Sequence, residues 1–229
     1  MSAADHISRD AAIRCDVVLP CRDEALALPG VLGRLPARMR AIVVDNGSTD
    51  GTAVVAARLG AEVVHEPAPG YGAAVHAGVL AATAPLVAVV DGDGSLDPGD
   101  LSRLADLVER GAATMAVGRR RPTDTRAWPW HARLGNTVVS ARVRQVTGLA
   151  VHDIAPIRVC SRADLLALGV EDRRFGYPLE LLLRAGRAGW RVAEVDVPYA
   201  RRAEGTRSKV SGSVGGTLQA LRDFARVLS

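Results

Sequence analysis

Lysine is nearly missing from this 229-residue chain: Lys209 stands alone, and arginine supplies the rest of the positive charge. An excess of arginine and alanine is what a GC-rich genome produces, so the single lysine stands out. Aromatic residues are scarce at 3%. With no stacking platform, no basic helix and no known binding motif, nucleic acid is excluded as a partner. Cys15, Cys21 and Cys160 are scattered, with neither metal-ligand spacing nor an even disulfide set, so a reduced, cytoplasmic setting is expected. No apolar run approaches the ~20 residues that span a bilayer. The opening Met1-Ser2-Ala3-Ala4-Asp5-His6 has no apolar core or cleavage-like segment, so no signal peptide is expected. The G-x-x-x-x-G-K-[ST] of a P-loop is absent, as are linkers, repeats and low-complexity tracts.

What is present suits a single globular domain over 1–229, since α/β folds often reach this size undivided and bury roughly 70% of their unfolded surface. Apolar residues at 48% and charged residues at 24% are ordinary, and the net charge of +4 suits an anionic ligand or membrane surface. Strand and helix signals alternate through residues 14–118. Strands are expected at 15–20, 41–44, 61–65, 86–90 and 112–117. Helices are expected at 24–35, from Asp50 to 59, at 72–82, and after the Asp97-Pro98 cap. Such alternation implies right-handed βαβ units and a mainly parallel sheet flanked by helices. The second half, 119–229, is less regular. Helices are expected at 131–146 and 177–189, strands at 154–160 and 191–197, and a last helix from about Ser213.

Two acidic turns close buried apolar runs. Ala41-Ile42-Val43-Val44 ends in Asp45-Asn46-Gly47-Ser48-Thr49-Asp50, and Leu86-Val87-Ala88-Val89-Val90 ends in Asp91-Gly92-Asp93-Gly94-Ser95. Unalternating β-rich runs read as strands buried on both faces, and ligands of parallel sheets bind beyond the strands' carboxyl ends. Carboxylates delivered there can hold a cation, while neighbouring glycines let a phosphate approach the backbone. Asp91 and Asp93 flank a glycine that tolerates the turn, and their hard oxygens suit Mg2+ or Mn2+ bridging a diphosphate. A plain solvated loop is the competing reading of a lone D-x-D. In the other turn, Asp50 caps a helix and Asn46-Gly47 makes a tight turn. Both are compatible with Asp45 accepting from a base or ribose.

Other candidates are less marked. Gly70-Tyr71-Gly72-Ala73-Ala74 follows the third strand rather than the first, which argues against a dinucleotide fingerprint and a Rossmann oxidoreductase. Arg119-Arg120-Arg121 follows the fifth strand, where Arg119 could meet a phosphate although charge runs are usually solvated. The last helix places Val214, Leu218, Leu221 and Leu228 in one stripe, to dock on the core or on a membrane surface.

In order along nearly the whole chain, these pieces resemble an inverting nucleotide-sugar glycosyltransferase of the GT-A fold, in the large second family that includes dolichyl-phosphate mannose and glucose synthases. Pro20-Cys21-Arg22-Asp23-Glu24 is similar to the family's P-x-x-N-E, with Asp for Asn. Val44-Asp45-Asn46-Gly47-Ser48-Thr49-Asp50-Gly51-Thr52 is similar to D-D-G-S-x-D-x-T, with Asn46 for the second Asp. Gly70 to Ala74 resembles the G-x-G-x-A helix start, and Asp91-Gly92-Asp93 the metal triplet. Arg202, Gly205, Ser208 and Lys209 resemble R-x-x-G-x-S-K with one extra residue after Gly205.

The resemblance implies that Pro20, Glu24 and Asp45 line the base and ribose pocket and that Gly72 belongs to the nucleotide-binding set. It implies that Asp91 and Asp93 hold Mg2+ or Mn2+, and that Arg202, Ser208 and Lys209 close over the phosphates. Lysine suits that last place as a compact point charge, against the alternative of a chance surface residue. Asp153 would orient or deprotonate the acceptor, His152 would be the metal's third protein ligand, and Glu180 would face substrate. For these three the alternatives are a turn aspartate, a helix-end histidine and a glutamate that favours a helix N-terminus.

The function implied is transfer of a sugar from a UDP- or GDP-linked donor to an acceptor, first of all a polyprenyl phosphate met at the inner membrane face. A soluble small-molecule acceptor is the alternative, and a non-catalytic nucleotide-sugar binding protein the non-enzyme rival. A sugar-1-phosphate nucleotidyltransferase would need a Gly-rich, Arg-containing signature after the first strand, which Pro20 to Glu24 is not. The oligomeric state has no sequence signal.

Overall fold

The structure, a computed structural model, describes residues 13–124, 127–154 and 156–203. Ser208, Lys209 and the expected last helix lie outside the described residues. The strands are β1 (Cys15–Cys21), β2 (Met39–Asp45), β3 (Glu62–His65), β4 (Leu86–Val89), β5 (Met115–Pro122), β6 (Arg158–Ser161) and β7 (Val192–Tyr199). They form one sheet in the order β3-β2-β1-β4-β6-β5-β7. Only β6 runs against its neighbours, β4 and β5. The β1–β2, β1–β4, β2–β3 and β5–β7 pairs are parallel. The fold is therefore mixed α/β with a mainly parallel seven-stranded sheet, as the alternating pattern requires.

The apolar runs are continuous because both faces of the sheet are covered, and the period of two sorts their side chains between two cores. On one face Val18, Ile42, Val44, Val87 and Val89 pack against α3 (Tyr71–Ala81), α5 (Trp130–Thr147) and α7 (Tyr177–Arg187). On the other, Val17, Leu19, Val43, Ala88 and Val90 pack against α1 (Leu28–Leu32) and α4 (Leu101–Glu109). Helix α3 comes so close to the sheet that a Cβ on Gly78 would lie 2.4 Å from Val18 Cγ1, so glycine is required there for packing. The remaining helices are α2 (Thr52–Arg58) and α6 (Arg162–Ala167); the short α6 has no expected counterpart. Among the described residues no helix is long and apolar enough to cross a membrane.

Several boundaries differ from expectation for physical reasons. The first helix starts at Leu28 rather than residue 24, because Pro29 sits in its first turn and residues 24–27 form a separate hydrogen-bonded turn. Strand β5 runs on through Arg119–Arg121 to Pro122, held by β7 over its whole length. Strand β6 begins only at Arg158.

Asp16, at the amino end of β1, is fully buried. It accepts from Arg40 Nε and Nη2 at 2.8 and 2.9 Å and from the Thr83 and Ala84 N–H groups at 2.6 and 2.8 Å. Burial alone would raise its pKa, but the Arg40 contacts and the two N–H donors hold it below the usual carboxylate range. Asp16→Ala orphans the two amides and breaks the pair, so urea denaturation should show a loss of about 2–4 kcal/mol. The folded-state value lies below the unfolded one, so this contribution is complete above about pH 4 and fades as pH falls through the depressed value. The mutational loss should therefore shrink in acid, and a pH-independent loss would rule the ion pair out as its source.

Candidate active site

The carboxyl ends of β1, β2 and β4 meet beside the centre of the sheet, where the strand order reverses around β1, the place at which open α/β sheets bind ligands. Asp45 ends β2 and pairs in register with Cys21 of β1; Pro20 pairs with Val44. The loops following these strands are laced together. Asp23 donates its N–H to Ser48 Oγ and accepts from the Thr49 N–H and Oγ1 at 2.8 and 3.2 Å. The Glu24 N–H bonds Thr52 Oγ1, and the Ala25 N–H bonds Asp50 Oδ2. Asp23 sits at φ 55°, a backbone region that Asp and Asn enter more readily than most residues. Asp45 Oδ1 accepts from the Ser48 N–H at 3.0 Å, and its other oxygen lies 3.4 Å from His65 Nδ1.

Beyond β4, Gly92 is pressed against β1. A Cβ there would fall 2.5 Å from Cys21 Sγ, so the turn between Asp91 and Asp93 needs glycine for space. Asp93 is buried, accepts from the Ser95 N–H at 2.9 Å and lies 3.0 Å from Arg202 Nε. The chain leaving β7 delivers that arginine, because the Ala200 and Ala203 N–H groups bond the carbonyls of Ser95 and Asp93. Burial, and next the charge of Asp93, push the Asp91 carboxyl up to about 6, against the pull of Arg202, Arg158 and Arg120. The buried Cys21 thiol reports the same convergence. Desolvation first, then Glu24, Asp91, Asp93 and Asp45, raise it well above its ordinary value.

A fixed pair of like charges with hard oxygen donors fits Mg2+ or Mn2+, ions that take only one or two carboxylates and leave other positions for water and phosphate. Among the described residues no third His, Cys, Asp or Glu completes a metal-binding group. His152, expected as that third ligand, instead places Nδ1 2.8 Å from Glu194 Oε2, and Glu194 also accepts the His152 and Asp153 N–H groups.

In the second half the expected site residues have partners of their own. Asp153 is buried in a two-pronged pair with Arg120, Oδ2 to Nε at 2.9 Å and Oδ1 to Nη2 at 2.7 Å, and also accepts the Arg120 N–H. The Arg120 guanidinium lies 3.9 Å from the Trp128 ring centre and 5.5 Å from that of Tyr199. Strand alternation turns Arg119 and Arg120 to opposite faces, and the charge of Arg120 is the one of this run that lowers the Asp91 pKa. Glu180 accepts from the Glu171 and Asp172 N–H groups and pairs with Arg184, and it lines a cleft of about 540 Å³ beside Arg173 and Arg174. Gly72 donates its N–H to the Arg174 carbonyl, and a Cβ there would lie 2.5 Å from the Asp172 carbonyl oxygen, so its glycine serves packing of α3.

Sequence reasoning missed Arg158. Only 2% exposed, it donates from Nη2 to Tyr71 Oη at 2.7 Å, while Nε and Nη1 have no hydrogen-bond partner among the described residues. The available signal was a cation inside the apolar Ile157-Arg158-Val159-Cys160 run.

The model of glycosyl transferase family 2 matches residues 16–166, most of the chain and all three strand ends that carry the carboxylates. The chain belongs to glycosyl transferase family 2. This glycosyltransferase is 60% identical to a Mycobacterium tuberculosis protein described as an uncharacterized glycosyltransferase, over 93% of this chain and 97% of that one. It is 33% identical to polyprenol monophosphomannose synthase of Mycolicibacterium smegmatis, over 86% and 81%. In fold it is similar to glucosyl-3-phosphoglycerate synthase from Mycobacterium tuberculosis, solved with Mn2+, UDP and glucosyl-3-phosphoglycerate. The TM-score is 0.72 at 21% identity, over 94% of this chain and 80% of that one.

The raised Asp91 has a consequence for stability. In metal-free protein the fold favours its protonated form, so its contribution is full below about pH 4 and is lost as pH rises through the folded value. Asp91→Asn imitates that form. In the glycosyltransferase without metal it should raise the melting temperature at about pH 8 by a few degrees, with the gain vanishing near pH 4. The same variant should lose the Mn2+-dependent thermal shift with UDP or GDP; a retained shift would remove Asp91 from the metal site.

Proposed function

We propose that this glycosyltransferase moves a sugar, with inversion, from a UDP- or GDP-linked donor to the phosphate of a polyprenyl phosphate. The observation that carries the acceptor is the state of Asp153. A general base must be able to reach and take a proton, yet Asp153 is buried and both its oxygens are held by Arg120, which is itself stacked on Trp128. A hydroxyl acceptor needs such a base. A phosphate acceptor does not, because its oxygen is already anionic near neutral pH. Relatives add support: besides the polyprenol monophosphomannose synthase, an undecaprenyl-phosphate mannosyltransferase of Micrococcus luteus is 30% identical over 89% of this chain and 90% of that one.

In this reading Pro20, Glu24 and Asp45 line the base and ribose pocket, and Asp91 and Asp93 hold Mg2+ or Mn2+. When bound, the ion neutralises charge on the departing diphosphate. Arg202 already stands at Asp93 and can turn to the diphosphate, with Ser208 and Lys209 of the following segment as further phosphate donors. An acceptor phosphate oxygen forms the new bond to the anomeric carbon on the face opposite the leaving group. The old carbon–oxygen bond breaks, the nucleoside diphosphate departs with the electron pair, and no proton changes hands. Arg120 and Arg158 provide the fixed positive field in which both anions meet, the preorganised electrostatics on which such transfers depend.

Purified protein should move mannose or glucose from its nucleotide to a polyprenyl phosphate in detergent, detected as a lipid-extractable product. Transfer only to water-soluble acceptors would replace the lipid by a soluble substrate, and nucleotide binding without any transfer would leave a binding protein. Asp153→Asn sharpens the point. Loss of a general base lowers the rate about 10²–10⁴-fold and removes a limb from the pH–rate profile. Loss of a residue that only positions Arg120 should lower it about tenfold or less, leave the profile's shape unchanged and reduce the melting temperature. The second pattern is expected.

A further inference from the structure

Helix α5 is apolar on two sides. Asn136, Val139, Ser140 and Val143 face the interior. On the opposite side Trp130, Leu134 and Val138 are 76%, 57% and 61% exposed. Their four-residue spacing lines them up in one row. The two tryptophans of Trp128-Pro129-Trp130 divide the work: Trp128 turns in to cover Arg120, and Trp130 turns out. An exposed row of this kind marks a contact surface rather than a core.

The charge on the helix selects the partner. Trp130–Thr147 contains no acidic residue but carries His131, Arg133, Arg142 and Arg144. Arg144 is turned inward, donating to the Val151 carbonyl, whereas Arg133 and Arg142 are exposed and by helical geometry flank the apolar row on either side. A second copy of this chain docking by the same face would set arginines against arginines. An anionic lipid surface meets both demands, accepting the apolar row below its head groups and the guanidiniums among them, with Trp at the boundary. We propose that the outer face of α5 docks on an anionic lipid surface, with Trp130, Leu134 and Val138 entering it and Arg133 and Arg142 at head-group level.

The docked helix would stand beside the acceptor side of the site. On its inner face Asn136 accepts the Ile154 N–H at 3.0 Å, donates to the His152 carbonyl, and lies 3.4 Å from Arg120 Nη2. The loop carrying Asp153 is thus tied to the helix that would hold the membrane. The proposal rests on the acceptor reading only for its purpose; lipid binding itself is independent of which acceptor is used.

The test is co-sedimentation of the full-length protein with phosphatidylglycerol-containing vesicles and with phosphatidylcholine vesicles. Saturable binding to the anionic vesicles, weakened by salt, is expected. Affinity should fall at least tenfold in the Trp130→Ser, Leu134→Ser, Val138→Ser triple variant and in the Arg133→Ala, Arg142→Ala double variant, with melting temperatures unchanged. Absence of wild-type binding to anionic vesicles, or equal binding by the variants, overturns the proposal. So does a dimer of the wild type that the triple variant dissolves, which would assign the face to a second copy. Transfer to polyprenyl phosphate in detergent separates the two ideas. Vesicle binding without such transfer sinks the acceptor reading alone, and transfer without vesicle binding sinks this one alone.

Discussion

The constraint from which the site follows is the crowding of two carboxylates, one buried and one half-buried, just beyond the end of β4. Asp91, half-buried, and Asp93, buried, repel each other where water screens them poorly, and desolvation together with that repulsion raises Asp91 to about 6. Locally the Ser95 N–H bond to Asp93 offsets part of it. The arginines that oppose it come from elsewhere, Arg120 from β5, Arg158 from β6 and Arg202 from the exit of β7. Each belongs to the half of the chain beyond the parallel βαβ units. The late strands therefore complete the electrostatics of a site whose carboxylates are presented by the early ones. A cation placed between the aspartates, and an anion placed before the arginines, would each find a field already arranged for it.

Arg158 shows how far the fold goes to maintain that field. A buried guanidinium with Nε and Nη1 unsatisfied within the described residues carries a desolvation penalty of about 1–3 kcal/mol for each lost bond. Among the described residues its hydrogen bond is to the Tyr71 hydroxyl. Tyr71 sits between Gly70 and Gly72, both so close to the 172–174 backbone that a Cβ would collide with it. The Gly-Tyr-Gly start of α3 therefore works as a packing device. It lets the helix end settle on that loop and sets the phenol over Arg158. The resemblance places Gly72 in the nucleotide-binding set, but glycine reports close approach without saying what approaches.

Half of this architecture is legible in the residues and half is not, for a reason visible in particular positions. Strands such as 15–20 and 86–90 announce themselves, since a strand covered on both faces must be apolar throughout and its end is marked by the acidic turn. Asp45, Asp91 and Asp93 stand out as candidates at those ends, whereas Pro20 and Glu24 are named only by the resemblance. In the second half polar residues pair with each other, two of the pairs far apart in sequence and one within a helix turn. Arg120 with Asp153, His152 with Glu194 and Glu180 with Arg184 read singly as ligands or bases and prove to be partners. Arg119 and Arg120 are indistinguishable in a run of three until the pleat assigns them faces. The apolar run of β5 ends at Val117, although pairing with β7 carries the strand through the arginines to Pro122.

The two departures from the family's loop motifs carry an argument of their own. Where the motifs have Asn and then Asp, this chain has Asp23 and Asn46. Asp23 acts only as an acceptor toward Thr49, a task either side chain can perform. Asn46 uses Nδ2 to donate to the Glu66 and Ala68 carbonyls and Oδ1 to accept the Gly70 N–H. An ionised aspartate has no proton to give to two carbonyls, so the amide at 46 is what staples the β3–α3 connection to the end of β2. Side chains at both positions are consumed in holding loops, which leaves Glu24, Asp45, Asp91 and Asp93 as the groups whose placement those loops exist to fix. A motif match thus names a scaffold as often as a ligand. The hydrogen bonds of each side chain decide which of the two it is.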